Sequence, residues 1–425
     1  MDREFSNAVA EMMSSRGPVQ DEEYETPPAV EHIKRASAVS LFDFQEDLVA
    51  QISRLAKSES KSRAALVSLP TGAGKTRTAA AACLRLFAGG HVRKVLWVAP
   101  TRELLEQAIS AFKLLISLGE GPDAIALARL SQVHDTQSDG PTVFFATCQL
   151  LASRTKGRGG LPTVELLIFD EAHFALAPSY LEAVLFLLRS GVTVIGLTAT
   201  PGRADDHESE RLAETFNNTW LISKLLGPRP METLRERGVL SSVLFKQVEF
   251  AGAGPGTVVS RRHRKTLPIE ALCVHQGRFA ATVDALLKIP SDERAIVFAG
   301  SLEHAAGLAV AIRAKGRNAG LVSGYQDEGT RSKVLEDFQK GVIKIVLNKS
   351  VLIAGYDCPA TKHVMIPIPV SSPIAFEQMV GRASRGPLVG GNTQSFVWVL
   401  DDLLVVHGSP SSYARYQGNS WQGAS

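Results

Sequence analysis

The chain has 425 residues, 45% of them hydrophobic and 21% charged, with a formal net charge of +3, which excludes one small domain and predicts two or three globular ones. No apolar run approaches the roughly 20 residues of a membrane span, and the start Met1-Asp2-Arg3-Glu4 lacks the basic-then-apolar pattern of a secretory signal. The four cysteines, Cys83, Cys148, Cys273 and Cys358, stand too far apart for metal-ligand spacing, so a reducing, cytoplasmic setting is predicted, and so small a net charge leaves any grip on nucleic acid to local positive patches.

Residues 1–35 carry Asp21-Glu22-Glu23-Tyr24-Glu25 and Pro27-Pro28 and read as an acidic, partly disordered arm. Leu41-Phe42-Asp43-Phe44-Gln45 then opens a helix. The Gln45 amide matches the N6 and N7 edge of adenine; it also suits a plain polar helix start.

The apolar run Ala64–Leu69 leads into Pro70-Thr71-Gly72-Ala73-Gly74-Lys75-Thr76 and the Ala-rich run Arg77–Phe87. A strand, a glycine-bearing loop and a helix in that order make a phosphate cradle. Gly72 and Gly74 let backbone N–H groups turn inward, and the new helix adds the positive end of its dipole. Lys75 would reach the β- and γ-phosphates of a nucleotide and the Thr76 hydroxyl a Mg2+ ion. The usual first glycine of this pattern is Leu69 here.

Strand-like runs Lys94–Ala99, Thr142–Thr147, Val164–Phe169 and Thr193–Thr198 alternate with helix-like runs Arg102–Leu115 and Tyr180–Arg189. Such alternation predicts a parallel sheet covered on both faces, with ligands at the C-terminal ends of its strands. The polar residues gather at those ends. Asp170 and Glu171, followed by Ala172 and His173, close one strand; one carboxylate can hold the Mg2+ that Thr76 holds, and the next can polarise a water for attack on the γ-phosphate. Thr101, Arg102 and Thr147 close two others and suit a phosphodiester backbone read without sequence preference, while the threonines suit helix N-caps equally well. Thr198 and Thr200 close the fifth.

Val243–Phe250 reads as a strand, Ala251 to Gly256 as a flexible joint, and Arg261-Arg262-His263-Arg264-Lys265 as the densest positive cluster. A second alternating series follows, with strands Ala295–Ala299, Gly320–Ser323, Ile343–Leu347, His363–Ile368 and Ser395–Leu400, and helices that include Ile374–Ala383. It has no phosphate loop of its own. Arg382 and Arg385, three apart at the end of that last helix, should project to one side and supply charge to a phosphoryl group held by the first sheet.

In order and spacing these motifs resemble a superfamily 2 helicase of the DEAH type, from about Leu41 to Leu404. Leu197 to Arg203 and the Leu234–Leu240 run are most similar to the restriction-enzyme and DNA-repair branch. The resemblance implies an α/β fold of two tandem RecA-like domains with an ATP cleft between them: arm 1–35, first domain 36–225, connecting segment and linker 226–268, second domain 269–407 and flexible tail 408–425. It implies ATP and Mg2+ as cofactors. Gln45 and Pro70–Thr76 would bind the nucleotide with Gly355 and Asp357, and Lys75, Asp170, Glu171, Gln378, Arg382 and Arg385 would carry hydrolysis. Thr101, Arg102, Thr147, Ser301 and Lys349 would touch nucleic acid, and His173, Thr198 and Thr200 would couple the two events. It further implies an ATP-dependent helicase or translocase acting on DNA more than RNA, with protein partners supplying nuclease or specificity functions. An ATP-switched clamp without motor activity and an RNA helicase stay open. The chain departs from the family at Lys349, where threonine is common, at Ala354, where glutamate is, and at Ser384, where glycine is.

Overall fold

The structure is a computed structural model, and it describes residues 41–58, 63–132, 140–157, 160–199, 206–250, 269–353, 356–370, 372–400 and 422–423. The chain divides into two compact units, and the changeover falls between Thr233 and Leu234.

In the first unit, α1 (Asp43–Lys57) precedes β1 (Ala64–Ser68), α2 (Lys75–Ala88), β2 (Lys94–Ala99), α3 (Arg102–Ser117), β3 (Ala126–Arg129), β4 (Thr142–Thr147), α4 (Cys148–Thr155), β5 (Leu166–Phe169), α5 (Pro178–Arg189), β6 (Thr193–Thr198), α6 (Asp206–Thr215) and β7 (Thr219–Leu221). All neighbours pair in parallel, in the order β7-β1-β6-β5-β2-β4-β3. Every residue of β1, β5 and β6 is buried, because a parallel sheet carries helices on both faces and its strands read as unbroken apolar runs. Trp97 of β2 meets Phe112 of α3 edge-on with centroids 5.6 Å apart, and Phe112 meets Phe145 of β4 at 5.8 Å. These aromatic contacts pin a helix to two strands.

Parallel pairing sets all strand ends on one edge. Ser68 stands opposite Thr198, Ala99 opposite Thr147, and Val98 opposite Phe169. The loops that follow β1, β2, β4, β5 and β6 therefore open side by side.

In the second unit, α7 (Pro230–Glu236), which straddles the changeover, leads to β8 (Ser242–Val248), α8 (Ile269–Cys273), α9 (Gln276–Leu287), β9 (Arg294–Phe298), α10 (Leu302–Ala314), β10 (Ala319–Val322), α11 (Glu328–Lys340), β11 (Ile345–Asn348), β12 (Thr361–Ile366), α12 (Pro373–Gly381) and β13 (Gln394–Leu400). The order is β10-β11-β9-β12-β13-β8, again all parallel. The strand expected within the connecting segment is thus a member of the second sheet: β8 pairs with β13 along its whole length, from Ser242 opposite Gln394 to Val248 opposite Leu400. Its alternation explains why. Val243 and Phe245 pack on one face of the sheet, while Lys246 on the other lies over the rings of Phe396 and Trp398 at 4.4 and 4.6 Å.

β3 and β7 were not among the expected strands. β3 is three half-exposed residues and the exposed Arg129, and β7 only three residues, so neither makes an apolar run long enough to signal itself. Of the tail after 408, the structure describes Gln422–Gly423, a two-residue strand parallel to β7. The arm, the Gly-rich joint and the basic cluster at 261–265 lie outside the described residues. Among the described residues no helix is long and apolar enough to cross a membrane.

Candidate nucleotide and nucleic-acid site

The loop after β1 is built by two left-handed glycines, Gly72 at φ 96° and Gly74 at φ 87°, a region open to glycine and costly for other residues. Gly74 is also the N-cap of α2, which begins at Lys75 rather than at Arg77 as expected. The first helical turn therefore carries Lys75 and Thr76 themselves and points its free N–H groups into the loop. Within the loop the Ala73 N–H donates to the Pro70 carbonyl at 3.0 Å, leaving Thr71 and Gly72 at the apex of a turn.

Gln45 is fully buried against this loop. Its Oε1 accepts from the Phe42 N–H at 3.1 Å and its Nε2 donates to the Ala73 carbonyl at 2.9 Å. One further N–H and one further lone pair of the amide remain for a base edge. The glutamine thus ties the start of α1 to the phosphate loop, which the sequence does not reveal.

β5 delivers Asp170 and Glu171 to the same edge. Asp170 is buried and its Oδ2 has no hydrogen-bond partner. Burial, and then the Glu171 charge, push its carboxyl up to about 7, against Lys75 and the Thr76 hydroxyl, which pull it down. Lys75, Thr76 and Asp170 are thus neighbours, as a phosphate loop and a cation ligand must be. An inward-facing carboxylate oxygen with no partner beside a threonine hydroxyl fits a hard, oxygen-seeking cation such as Mg2+, so Thr76 and Asp170 are the residues that would hold it.

Glu171 is a non-glycine residue at φ 51°. Such conformations cost about 1–3 kcal/mol and gather at working sites. Here it caps a short 3-10 helix, Ala172–Leu176, and its Oε2 lies 3.3 Å from His173 Nδ1. Strain and histidine together fix where the carboxylate points. Thr198 is fully buried at the end of β6, and its carbonyl receives the Leu69 N–H at 3.3 Å, which joins β6 to the loop after β1. Thr200 lies outside the described residues.

In the second unit Gln378 is buried on α12, which ends at Gly381 and not at Ala383 as expected. Arg382 is its C-cap and Arg385 lies beyond it. The two arginines face one side because they share a loop, not because of helical spacing. Arg382 donates from Nε and Nη2 to the Ile353 carbonyl at 3.1 and 2.7 Å, and from Nη1 to the Tyr356 carbonyl at 2.5 Å. Arg385 Nη2 lies 2.9 Å from Asp357 Oδ1. Gly355, also in that loop, is outside the described residues.

Comparison with known proteins agrees with this geometry. Residues 38–203 match the family "Type III restriction enzyme, res subunit", and residues 278–386 match "Helicase conserved C-terminal domain". The first match lies within the first unit and the second within the second, and together they support a superfamily 2 helicase with two RecA-like domains. A curated relative from Saccharomyces cerevisiae, "ATP-dependent DNA helicase MPH1", is 34% identical over 158 residues, 36% of this chain and 15% of that protein. A solved fragment of a putative HsdR subunit of a type I restriction enzyme from Vibrio vulnificus has a TM-score of 0.64 at 19% identity, covering 88% of this chain and 67% of that one. Dbp5 of Saccharomyces cerevisiae, solved with RNA and ADP BeF3, gives 0.58 at 15% identity, covering 87% and 84%. The curated match spans about a seventh of the relative's length, and the structural likenesses speak for the fold.

Of the residues expected to meet nucleic acid, three have a local task as well. Thr101 accepts from Leu104 N–H at 3.3 Å, Thr147 from Leu150 N–H at 3.2 Å, and Ser301 from His304 N–H at 3.0 Å. All three are N-caps, and a capping oxygen that accepts keeps its own O–H to donate. Arg102 and Lys349 are exposed at strand ends. Both Ser301 and Lys349 act on Cys273: burial raises its thiol, and a Ser301 hydrogen bond and the Lys349 charge both pull it down.

Sequence reasoning missed the seat beneath the arginine motif. Ser241 N–H donates to the Ser384 carbonyl at 3.1 Å and Gly386 N–H to Val239 at 2.9 Å. A Cβ on Gly386 would stand 2.2 Å from the Gly238 carbonyl oxygen, so only glycine allows this approach. Ser384, where the family commonly has glycine, is accommodated by donating its hydroxyl to Gly381 at 2.9 Å. The Gly386 signal was legible as a glycine directly after Arg385; its partner, some 150 residues earlier, was not.

Gly74→Ala tests the cradle. The left-handed conformation costs a side chain about 1–2 kcal/mol, and the new Cβ would stand 2.4 Å from Gln45 Nε2. Stability should fall by roughly that strain, and affinity for an ATP analogue should fall with it. Adding Gln45→Ala should relieve the collision but not the strain, a partial recovery visible in thermal melts.

Proposed function

We propose that this chain is an ATP-dependent DNA helicase or translocase. The observation that carries the reading is the meeting of Lys75 and Thr76 with the buried Asp170 at one edge of a parallel sheet. Lys75 neutralises phosphate charge, and Thr76 and Asp170 hold the cation. When bound, Mg2+ supplies charge neutralisation at the phosphoryl oxygens. Glu171, oriented by its strained backbone and by His173, takes the proton from the attacking water. Arg382 and Arg385 carry the positive charge that hydrolysis calls for, and their bonds to the loop at 353–357 link them to the strand end that bears Lys349. Gln45 reads the base, with Gly355 and Asp357 completing the nucleotide site. His173, Thr198 and Thr200 pass nucleotide state to the nucleic-acid edge.

DNA is the preferred substrate in this reading, since the curated relative is named a DNA helicase and the RNA-bound neighbour speaks only for the fold. Contacts through Thr101, Arg102, Thr147, Ser301 and Lys349 grip phosphates, so binding is indifferent to sequence. Protein partners supply nuclease or specificity functions, in repair or in defence against foreign DNA. A cytoplasmic location accompanies the reading, supported by the four free, buried cysteines.

Lys75→Ala should abolish DNA-stimulated ATP turnover while the melting temperature holds; turnover within a few-fold of the parent would refute the site. Glu171→Gln should keep ATP binding and lose hydrolysis, trapping a complex that holds DNA at least as tightly as the parent does with ATP. Loss of ATP binding instead would make Glu171 a structural residue. Arg385→Ala should cut turnover far more than ATP affinity, arginine fingers being worth on the order of 10³–10⁵ in rate. A large drop in stability with unchanged turnover would reduce Arg385 to a partner of Asp357.

A further inference from the structure

Tyr325 is the feature of the second unit that the reading above does not use. Its side chain is 75% exposed and makes no ring contact with another aromatic side chain among the described residues. A lone exposed apolar group needs no explanation. This one has a mounting. It lies in the loop between β10 and α11, and both ends of that loop are fastened. Gln326 accepts the Ser323 N–H on its Oε1 at 3.0 Å and donates from Nε2 to the Leu321 carbonyl at 3.1 Å. Asp327 caps α11, accepting the Thr330 N–H at 2.8 Å. Between these clasps the tyrosine is held out into solvent, so little conformational entropy would be lost when something stacks on it.

The position of the loop in the sheet matters as much. β10, β11 and β9 are adjacent and parallel, with Val322 opposite Asn348 and Asn348 opposite Phe298. Their next residues are Ser323, Lys349 and Ala299, so the Tyr325 loop, the exposed Lys349 and the Ser301 hydroxyl succeed one another along one sheet edge. The Lys349 strand end is pinned too. The Asn348 side chain donates to the Val297 carbonyl at 3.0 Å and accepts the Leu352 N–H at 3.1 Å. An aromatic face beside a cation and a hydroxyl is the combination that holds a single strand, the charge taking phosphate and the ring taking a base.

We propose that Tyr325 is a base-stacking subsite for single-stranded DNA on the second unit, adjoining the phosphate contacts at Lys349 and Ser301. The proposal rests on the nucleic-acid reading above and adds to it a preference: bases paired inside a duplex hide their faces, so Tyr325 favours a single strand over a duplex, whereas Lys349 serves both.

The full chain, its Tyr325→Ala and Tyr325→Phe variants and Lys349→Ala should be titrated at several salt concentrations against three labelled probes: a thymidine 20-mer, a wholly abasic strand of equal length and charge, and a 20-base-pair duplex. Tyr325→Ala should weaken binding to the thymidine strand about tenfold. It should leave the abasic strand, the duplex and the salt slope unchanged, since no phosphate contact is lost. Tyr325→Phe should match the parent. Lys349→Ala should weaken all charged probes and flatten the slope by about one unit. Parent-like binding of the thymidine strand by Tyr325→Ala, or equal weakening of the abasic strand, would overturn the subsite. A parent that binds none of the probes would instead overturn the nucleic-acid reading on which the subsite rests.

Discussion

Asp170 is a carboxylate taken out of water and set beside a lysine and a threonine, and the first unit's chemistry hangs on that placement. Burying a carboxylate costs several kcal/mol unless something nearby favours its charge. Lys75 and Thr76 do so in part, while Oδ2 has no hydrogen-bond partner. The arrangement exists because β1 and β5 are parallel members of one sheet, so that a phosphate loop and an acidic strand end, about 95 residues apart in sequence, open on the same edge. An antiparallel neighbour would have put the acid at the far end.

The second unit solves a related problem with the opposite charge. Arg382 and Arg385 are buried, and a buried guanidinium must find acceptors. It finds them in the carbonyls of Ile353 and Tyr356 and the carboxylate of Asp357, all in the loop that follows β11. The segment before β8 braces the motif from the other side through Ser241 and Val239. The arginine motif is thereby bonded both to the loop that follows the Lys349 strand end and to the segment that leads into β8.

The N-caps show how one residue serves two ends. In a parallel α/β sheet each strand hands over to a helix at the ligand edge, and each such helix needs a side-chain oxygen at its start. Thr101, Thr147 and Ser301 meet that need. The atoms that stabilise these helices therefore also line the strand-end edge with hydroxyls, and replacing one of them disturbs a helix start.

The sequence by itself determined the class of fold and the polar residues that gather at the first sheet's strand ends. Unbroken apolar runs of strand length that alternate with helices point to parallel sheets, and a glycine-bearing loop between strand and helix points to a phosphate cradle. The tertiary structure decided whatever depends on long-range pairing. It gave β8 to the second sheet, because Val243 and Phe245 pack against that sheet although the strand lies in a segment that reads as a connection. It ended α12 at Gly381, and so turned Arg382 and Arg385 into partners of a loop rather than a face of a helix. It added β3 and β7, too short to announce themselves, and it brought Gln45 onto the Ala73 carbonyl and Gly386 onto Gly238. Local pattern fixes which element forms, since that depends on neighbours a few residues away. Which element lies beside which depends on burial summed over the whole chain, and so does the identity of the acceptor that each buried polar group meets.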